Sequence, residues 1–163
     1  MERRFIREGV TAGIVGALTI ALWFAIVDVV RGELLGTPRL LGDALASLFL
    51  RDGSVPGEAA AVLLYTLFHF GAFMIVGLIA AWVINASERT PSAFIGFAML
   101  FVAFELGWLG WTTVLAQGTY GALSWLQVFV ANLIAAAAMG LYLWRQHRSL
   151  WRRVGSALAG APE

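Results

Sequence analysis

The sequence predicts an all-α fold: an antiparallel bundle of four transmembrane helices, with a short interfacial amphipathic helix between the first and second spans. The 163 residues are 60% hydrophobic and have a mean hydropathy of +0.81, whereas soluble proteins are about 45–50% apolar. Four apolar runs, each near the ~20 residues that cross a bilayer, are separated by charged or Gly/Pro-containing turns. We therefore expect one integral membrane domain over residues 1–163.

The composition excludes several classes of function. The net charge is +1, so no basic field indicates nucleic-acid binding. Cysteine is absent, which excludes disulfides, thiolate metal sites and cysteine nucleophiles. All 11 Lys and Arg positions are Arg, and Ala, Gly, Leu and Val are heavily used, a composition typical of GC-rich bacterial genomes. We therefore expect a bacterial inner (cytoplasmic) membrane protein.

The first span is predicted over residues 9–30. Residues 9–27 carry no charge and make about 28 Å of helix, enough to cross a bilayer. The apolar run exceeds the ~7–15 residues of a signal peptide core, so we expect the segment to be retained. Gly9, Gly13 and Gly16 form a strip on which another helix can pack closely. The alternative is that these glycines reflect only the general frequency of glycine in membrane helices.

A short interfacial helix is predicted over residues 38–50, with Thr37 as its N-cap and Pro38 as its first helical residue. At about 13 residues it is too short to span. One face is apolar and the other carries charges, a pattern typical of a helix lying in the membrane surface. The apolar positions are Leu40, Leu41, Ala44, Leu45, Leu48 and Phe49, opposite Arg39, Asp43 and Arg51.

Three further spans are predicted over residues 59–84, 92–116 and 120–144, followed by a tail at 155–163. Arginine placement predicts their orientation. The N-terminus carries three Arg, the turn between the second and third spans one, and the C-terminus four, whereas the three Arg of the long connection are balanced by four acids. The positive-inside rule therefore places both termini in the cytoplasm.

Glu105 lies in the middle of an apolar run, where an acidic side chain costs about 2.5–3.5 kcal/mol on translocon scales. Counted inward from the outer interface, His69, Glu105 and Asn132 all lie at roughly 15–18 Å, near the midplane. We expect this midplane cluster to point into the bundle, with His69 and Glu105 within direct or water-mediated hydrogen-bond reach. Two readings are open: a proton-accepting or ligand-binding site, or a structural clasp whose interhelical bonds average about 0.6 kcal/mol each.

Several polar residues would extend this cluster toward the outer surface: Asp28, Tyr65, Trp108, Thr112 and Gln127. No metal site is expected, because Asp28 would lie about 12 Å from the other candidate ligands. No cofactor is expected either, since the two His lie at opposite depths and cannot share a haem. His147, among arginines after the last span, is interpreted as a solvated interfacial side chain.

Five segments follow one another in the order WFAIVDVV, TPRLLG, YTLFHFGAF, FVAFELG and VANLIAAAAMGLYLWRQH. This order resembles small uncharacterised four-span membrane proteins of GC-rich bacteria, over most of the chain. The resemblance implies a four-helix membrane fold and brings no activity, cofactor or catalytic residue.

Three classes of function follow. The first is an accessory or scaffolding subunit that packs against partner membrane helices, because the glycine and alanine strips supply packing surfaces. The alternative is a small proton-coupled transporter or ligand-binding membrane protein that uses the midplane cluster. An intramembrane enzyme is least favoured, since no G-x-G-x-x-G, P-loop or G-x-S-x-G motif occurs. The expected partners are the lipid bilayer and another membrane protein or a second copy, without nucleic acid.

Overall fold

The computed structural model describes residues 2–49, 57–87 and 125–147, and every regular element in these ranges is an α-helix. The predicted all-α class is therefore confirmed. The helices are α1 (Glu2–Arg31), α2 (Gly36–Phe49), α3 (Glu58–Ser87) and α4 (Trp125–Gln146). The predicted third span at 92–116, the predicted start of the last span at 120–124 and the tail at 155–163 lie outside the described residues.

Three of the described helices, α1, α3 and α4, are long and apolar enough to cross a membrane. The protein is therefore an integral membrane protein. The first two spans were predicted shorter than the helices that contain them, because hydropathy marks only the part in the hydrocarbon. The helix of the first span continues back to Glu2, and in this added part Arg4 pairs with Glu8, four residues further along, at 2.7 Å.

α1 lies at the centre of the described bundle and packs against both other spanning helices. It runs antiparallel to α3 and to α4. The last turns of α3 and α4 therefore lie beside the start of α1, and α4 begins beside the end of α1. Two buried apolar clusters hold these helices together. One cluster contains Ala12, Ile84, Met139 and Leu143, and the other contains Ile20, Phe24, Ala131 and Ala135.

Glycines bring the backbones of α1 and α3 into direct contact. A Cβ added to Gly13 would collide with the carbonyl oxygen of Phe73 and lie 2.7 Å from the Cα of Met74. A Cβ added to Gly77 would collide with the carbonyl oxygen of Gly9 and lie 2.8 Å from the Cα of Gly13. Membrane helices lack a hydrophobic drive to associate, so close dispersion contact of this kind contributes to holding α1 and α3 together.

The connection between α1 and α2 is a tight turn built on two residues in the left-handed region, Gly32 (φ 76°) and Leu35 (φ 64°). The N–H of Gly32 donates to the Val29 carbonyl at 3.1 Å, and the N–H of Glu33 donates to the Asp28 carbonyl at 3.0 Å. This pattern is a Schellman motif with Gly32 at the position that favours glycine. It ends α1 abruptly and directs the chain into α2.

α2 packs along the first turns of α3. Gly42 allows the contact, since a Cβ there would collide with the carbonyl oxygen of Ala61. Leu41 reaches the apolar cluster around Phe24. α2 therefore lies against the bundle, beside the end of α1 and the start of α3.

We predict that Gly77→Ala destabilises the protein by about 1–3 kcal/mol, because the new methyl group must push the α1 backbone away. Gly71→Ala, on the same helix, is the matched control, because a Cβ there has no neighbour within 4 Å among the described residues. That control should be neutral or stabilising by about 0.5–1 kcal/mol, since alanine favours helix. Thermal unfolding in detergent measures both, and equal midpoints would contradict the assigned contact.

Candidate functional site

A cavity of about 150 Å³ lies between α1, α2 and α3. Most of its walls are apolar, and they include Ile20, Phe24, Pro38, Val62 and Phe70. Polar side chains also line it: Asp28, Thr37, Tyr65, Thr66 and His69. Three residues of the sequence prediction, His69, Tyr65 and Asp28, thus border one space.

His69 joins α3 to α1 and is only 8% exposed. Its Nε2 lies 3.1 Å from the carbonyl oxygen of Ala17, which can only accept, so Nε2 carries the hydrogen. In neutral imidazole, Nδ1 is then the acceptor, and the Tyr65 hydroxyl lies 3.4 Å from it, a long hydrogen bond. The two rings also stack, with centroids 5.4 Å apart. Both ring nitrogens of His69 are therefore occupied.

Asp28 joins α1 to the start of α2 and is 3% exposed. Its Oδ2 accepts from the Thr37 backbone N–H at 2.8 Å, and its Oδ1 accepts from the Thr37 hydroxyl at 2.6 Å. A carboxylate is well placed there, because the first N–H groups of a helix lack internal partners and attract negative charge.

The predicted N-cap role of Thr37 is wrong. α2 begins at Gly36, and the Leu35 carbonyl accepts from the N–H of Arg39 at 3.1 Å, so Leu35 precedes the helix and Thr37 is its second residue. The physical reason is that Asp28, nine positions earlier, supplies the capping oxygen from another helix. The interfacial helix therefore starts two residues before the predicted 38.

The polar side chains around the cavity already have hydrogen-bond partners. The Thr66 hydroxyl donates to the Val62 carbonyl at 2.7 Å. His69 pairs with Tyr65, and Asp28 pairs with Thr37. The space therefore suits an apolar guest. At about 150 Å³ it equals roughly five waters of ~30 Å³, and it is smaller than the ~300–1,000 Å³ of a typical ligand pocket. It fits a short apolar part of a larger molecule.

A second, larger cleft of about 460 Å³ adjoins this cavity, and Asp28 and Thr37 form the common wall. Its walls carry four acidic residues, Asp28, Glu33, Asp43 and Glu58, and two basic ones, Arg31 and Arg39. Arg39 pairs with Glu58 at 3.4 Å. Arg31 donates to the Oε1 of Gln127 on α4 at 2.8 Å.

The remaining predicted site residues lie elsewhere. Glu105, Trp108 and Thr112 are outside the described residues, so the proposed approach of Glu105 to His69 stays a prediction. Asn132 is partly buried on α4 and does not line the cavity, and neither does Gln127. In the described part of the chain, no three His, Cys, Asp or Glu side chains converge closely enough to hold a metal ion.

One buried hydrogen bond was missed by the sequence analysis. His147 was interpreted as solvated, and this is wrong: its side chain is 7% exposed, and its Nε2 lies 3.1 Å from the Oε2 of Glu8. The other oxygen of Glu8 accepts from Arg4 at 2.7 Å. The Arg4–Glu8 spacing is visible in the sequence, but no local signal relates Glu8 to a residue 139 positions away.

No protein-family model, curated protein or solved structure matches this chain.

We predict that Asp28→Ala loosens the start of α2. A lost capping oxygen costs about 0.5–2 kcal/mol, so amide exchange at Thr37 and Leu40 should accelerate about two- to thirtyfold. Leu34→Ala is the control, since this side chain is 77% exposed in the same connection. Hydrogen exchange with mass spectrometry measures both, and unchanged protection in Asp28→Ala would show that the cap does not hold α2.

Proposed function

We propose that this integral membrane protein is a ligand-binding protein, which takes the apolar end of a small amphiphilic molecule into the cavity between α1, α2 and α3. We further propose that it lies in a bacterial inner membrane with both termini in the cytoplasm, as its arginine distribution favours. The observation that supports binding is an apolar cavity whose polar wall groups are already hydrogen-bonded.

This arrangement favours binding over proton transfer. An apolar guest displaces no hydrogen bond of His69 or Asp28, and it gains about 25 cal/mol for each Å² of apolar surface that leaves water. A proton relay would depend on Glu105, which lies outside the described residues. The buried pairs instead fix the cavity walls, because each pair joins α1 to a different helix.

Photo-crosslinking tests the proposal. A fatty acid with a diazirine at the end of its chain should label residues of α1 and α3 around the cavity. Val62→Phe should reduce labelling by about fivefold or more, because filling a packed space costs roughly 1–3 kcal/mol. Val76→Phe is the control, since Val76 lies on the same helix, is 46% exposed and does not line the cavity.

Labelling that is spread evenly over the apolar surface would contradict the proposal. So would equal labelling in Val62→Phe and the control, because the probe would then be reporting the detergent or lipid surface rather than a site.

An accessory-subunit role is the second candidate, and open glycine positions favour it. Gly9, Gly13 and Gly16 are occupied by contacts inside the bundle. Gly140, in contrast, has no neighbour within 4 Å of an added Cβ in the part of the chain that the structure describes. Ala136 lies four residues earlier on the same helix, which gives the small-xxx-small spacing that favours helix association.

If a partner helix packs there, we expect stoichiometric co-purification in mild detergent that Gly140→Leu abolishes. Leu141→Phe, at an exposed neighbouring position, should retain the partner. Quantitative mass spectrometry of both pull-downs measures this, and a chain that purifies alone in both cases would contradict the role.

A further inference from the structure

We propose that the cavity opens sideways into the lipid bilayer, and that its ligand is a phospholipid of the membrane itself, which inserts the end of one acyl chain through this opening. The inference rests on the proposed function, because it names the class of molecule whose apolar end occupies the cavity and the side from which that molecule enters.

The opening of the cavity is marked by the residues that line it and are also exposed. Among the described residues of the wall these are Ala21, Ala25 and Leu35, whereas others, such as Phe24 and His69, are buried. A residue that borders the space and also contacts the surroundings of the protein lies at the mouth. The mouth is therefore apolar, and its two alanines leave a gap that longer side chains would fill.

The surroundings of the mouth are hydrocarbon. Ala21 and Ala25 lie within residues 9–27, which carry no charge and are long enough to cross the apolar part of a bilayer. The side chains beside them on α1 are large, apolar and exposed, namely Leu18 (55%), Leu22 (64%) and Ile26 (54%). Lipid chains that cover this face of α1 are thus already next to the mouth.

On the side of the charged cleft, a polar pair closes the cavity. Asp28 and Thr37 form the wall common to the two spaces, and both are buried. Two hydrogen bonds, of 2.6 and 2.8 Å, join them. An amphiphile that entered from the cleft would have to separate this pair, and buried polar groups without partners are costly. Entry from the lipid side breaks neither of these hydrogen bonds.

The size of the cavity limits how much of the lipid enters. Its volume of about 150 Å³ equals that of an engineered protein cavity that binds benzene, so it has room for about six carbons of a chain. The headgroup and the rest of the lipid then stay in the bilayer. Because the chain comes from hydrocarbon and not from water, it gains the dispersion contacts with the walls that an empty cavity lacks.

Photo-crosslinking in vesicles tests the inference. The full chain is reconstituted into phosphatidylcholine vesicles in which a fraction of the lipid carries a diazirine at the end of one acyl chain. Such a probe labels every lipid-facing side chain at its depth, so the measured quantity is the ratio of adducts on Phe24 to adducts on Leu22. Phe24 lines the cavity and is 8% exposed, whereas Leu22 is 64% exposed and lies on the surface of the same helix. We expect adducts on both residues.

Larger side chains at the mouth should block entry. The double variant Ala21→Leu/Ala25→Leu should reduce the Phe24 to Leu22 ratio by about fivefold or more, because the added atoms fill the gap. Ala137→Leu is the matched control. Ala137 is also an exposed alanine and does not line the cavity, and its neighbour Met139 packs at Gly16 of α1, which places it at a similar depth. If the double variant does not fold, the two single variants carry the test.

Adducts confined to exposed residues would overturn the inference. It would also be overturned by an unchanged ratio in the mouth variants, or by an equal loss in Ala137→Leu.

The diazirine fatty acid offered in detergent distinguishes this inference from the proposed function. If the fatty acid labels the cavity and the phospholipid in vesicles does not, sideways entry of a bilayer lipid is excluded, and an amphiphile supplied from water is the ligand. If neither probe labels the cavity, the proposed function itself fails.

Discussion

The direct backbone contact between α1 and α3 at Gly13 and Gly77 is the constraint on which the rest of the described structure depends. It fixes the distance and register of the two helices at one end. At the other end of the same pair, larger side chains, such as Phe24 and Tyr65, replace the glycines. The helices cannot close on each other there, and the cavity lies between them. The same pair of helices thus provides both a direct backbone contact and the space that we assign to a ligand.

Buried polar side chains define the shape of this space. His69 donates to a carbonyl of α1, so its position follows the α1–α3 register. Asp28 accepts hydrogen bonds from Thr37, the second residue of α2, so α2 is attached to the same central helix, α1. Because these polar groups satisfy one another, the walls stay apolar despite containing a carboxylate and an imidazole. The charged side chains of the cleft lie on the side of the Asp28–Thr37 pair that faces away from the cavity.

Hydropathy and turn residues were sufficient to predict the all-α class and the approximate positions of the described spans, because the length of an apolar run is a local property. The sequence also indicated that His69 needed a partner, whereas Asp28 was expected only to extend the midplane cluster toward the outer surface. It could not identify the partner of either residue. The partner of Asp28 depends on the left-handed conformation of Leu35, a residue type that rarely adopts it. The burial of His147 depends on direct packing of α4 against α1, and the local sequence pattern does not show which helices of the bundle touch.

The contact between Glu8 and His147 has a consequence for the order in which the protein assembles during synthesis. The two residues are 139 positions apart, and at about 5–20 residues per second the ribosome needs about 7–28 seconds to make the intervening chain. During this time α1 has been made, and its Glu8 side chain does not yet have His147 as a partner. During that interval Arg4, one turn away, is the partner already present. Arg4 therefore neutralises the charge of Glu8 within α1 until α4 packs against α1 and brings His147 to Glu8.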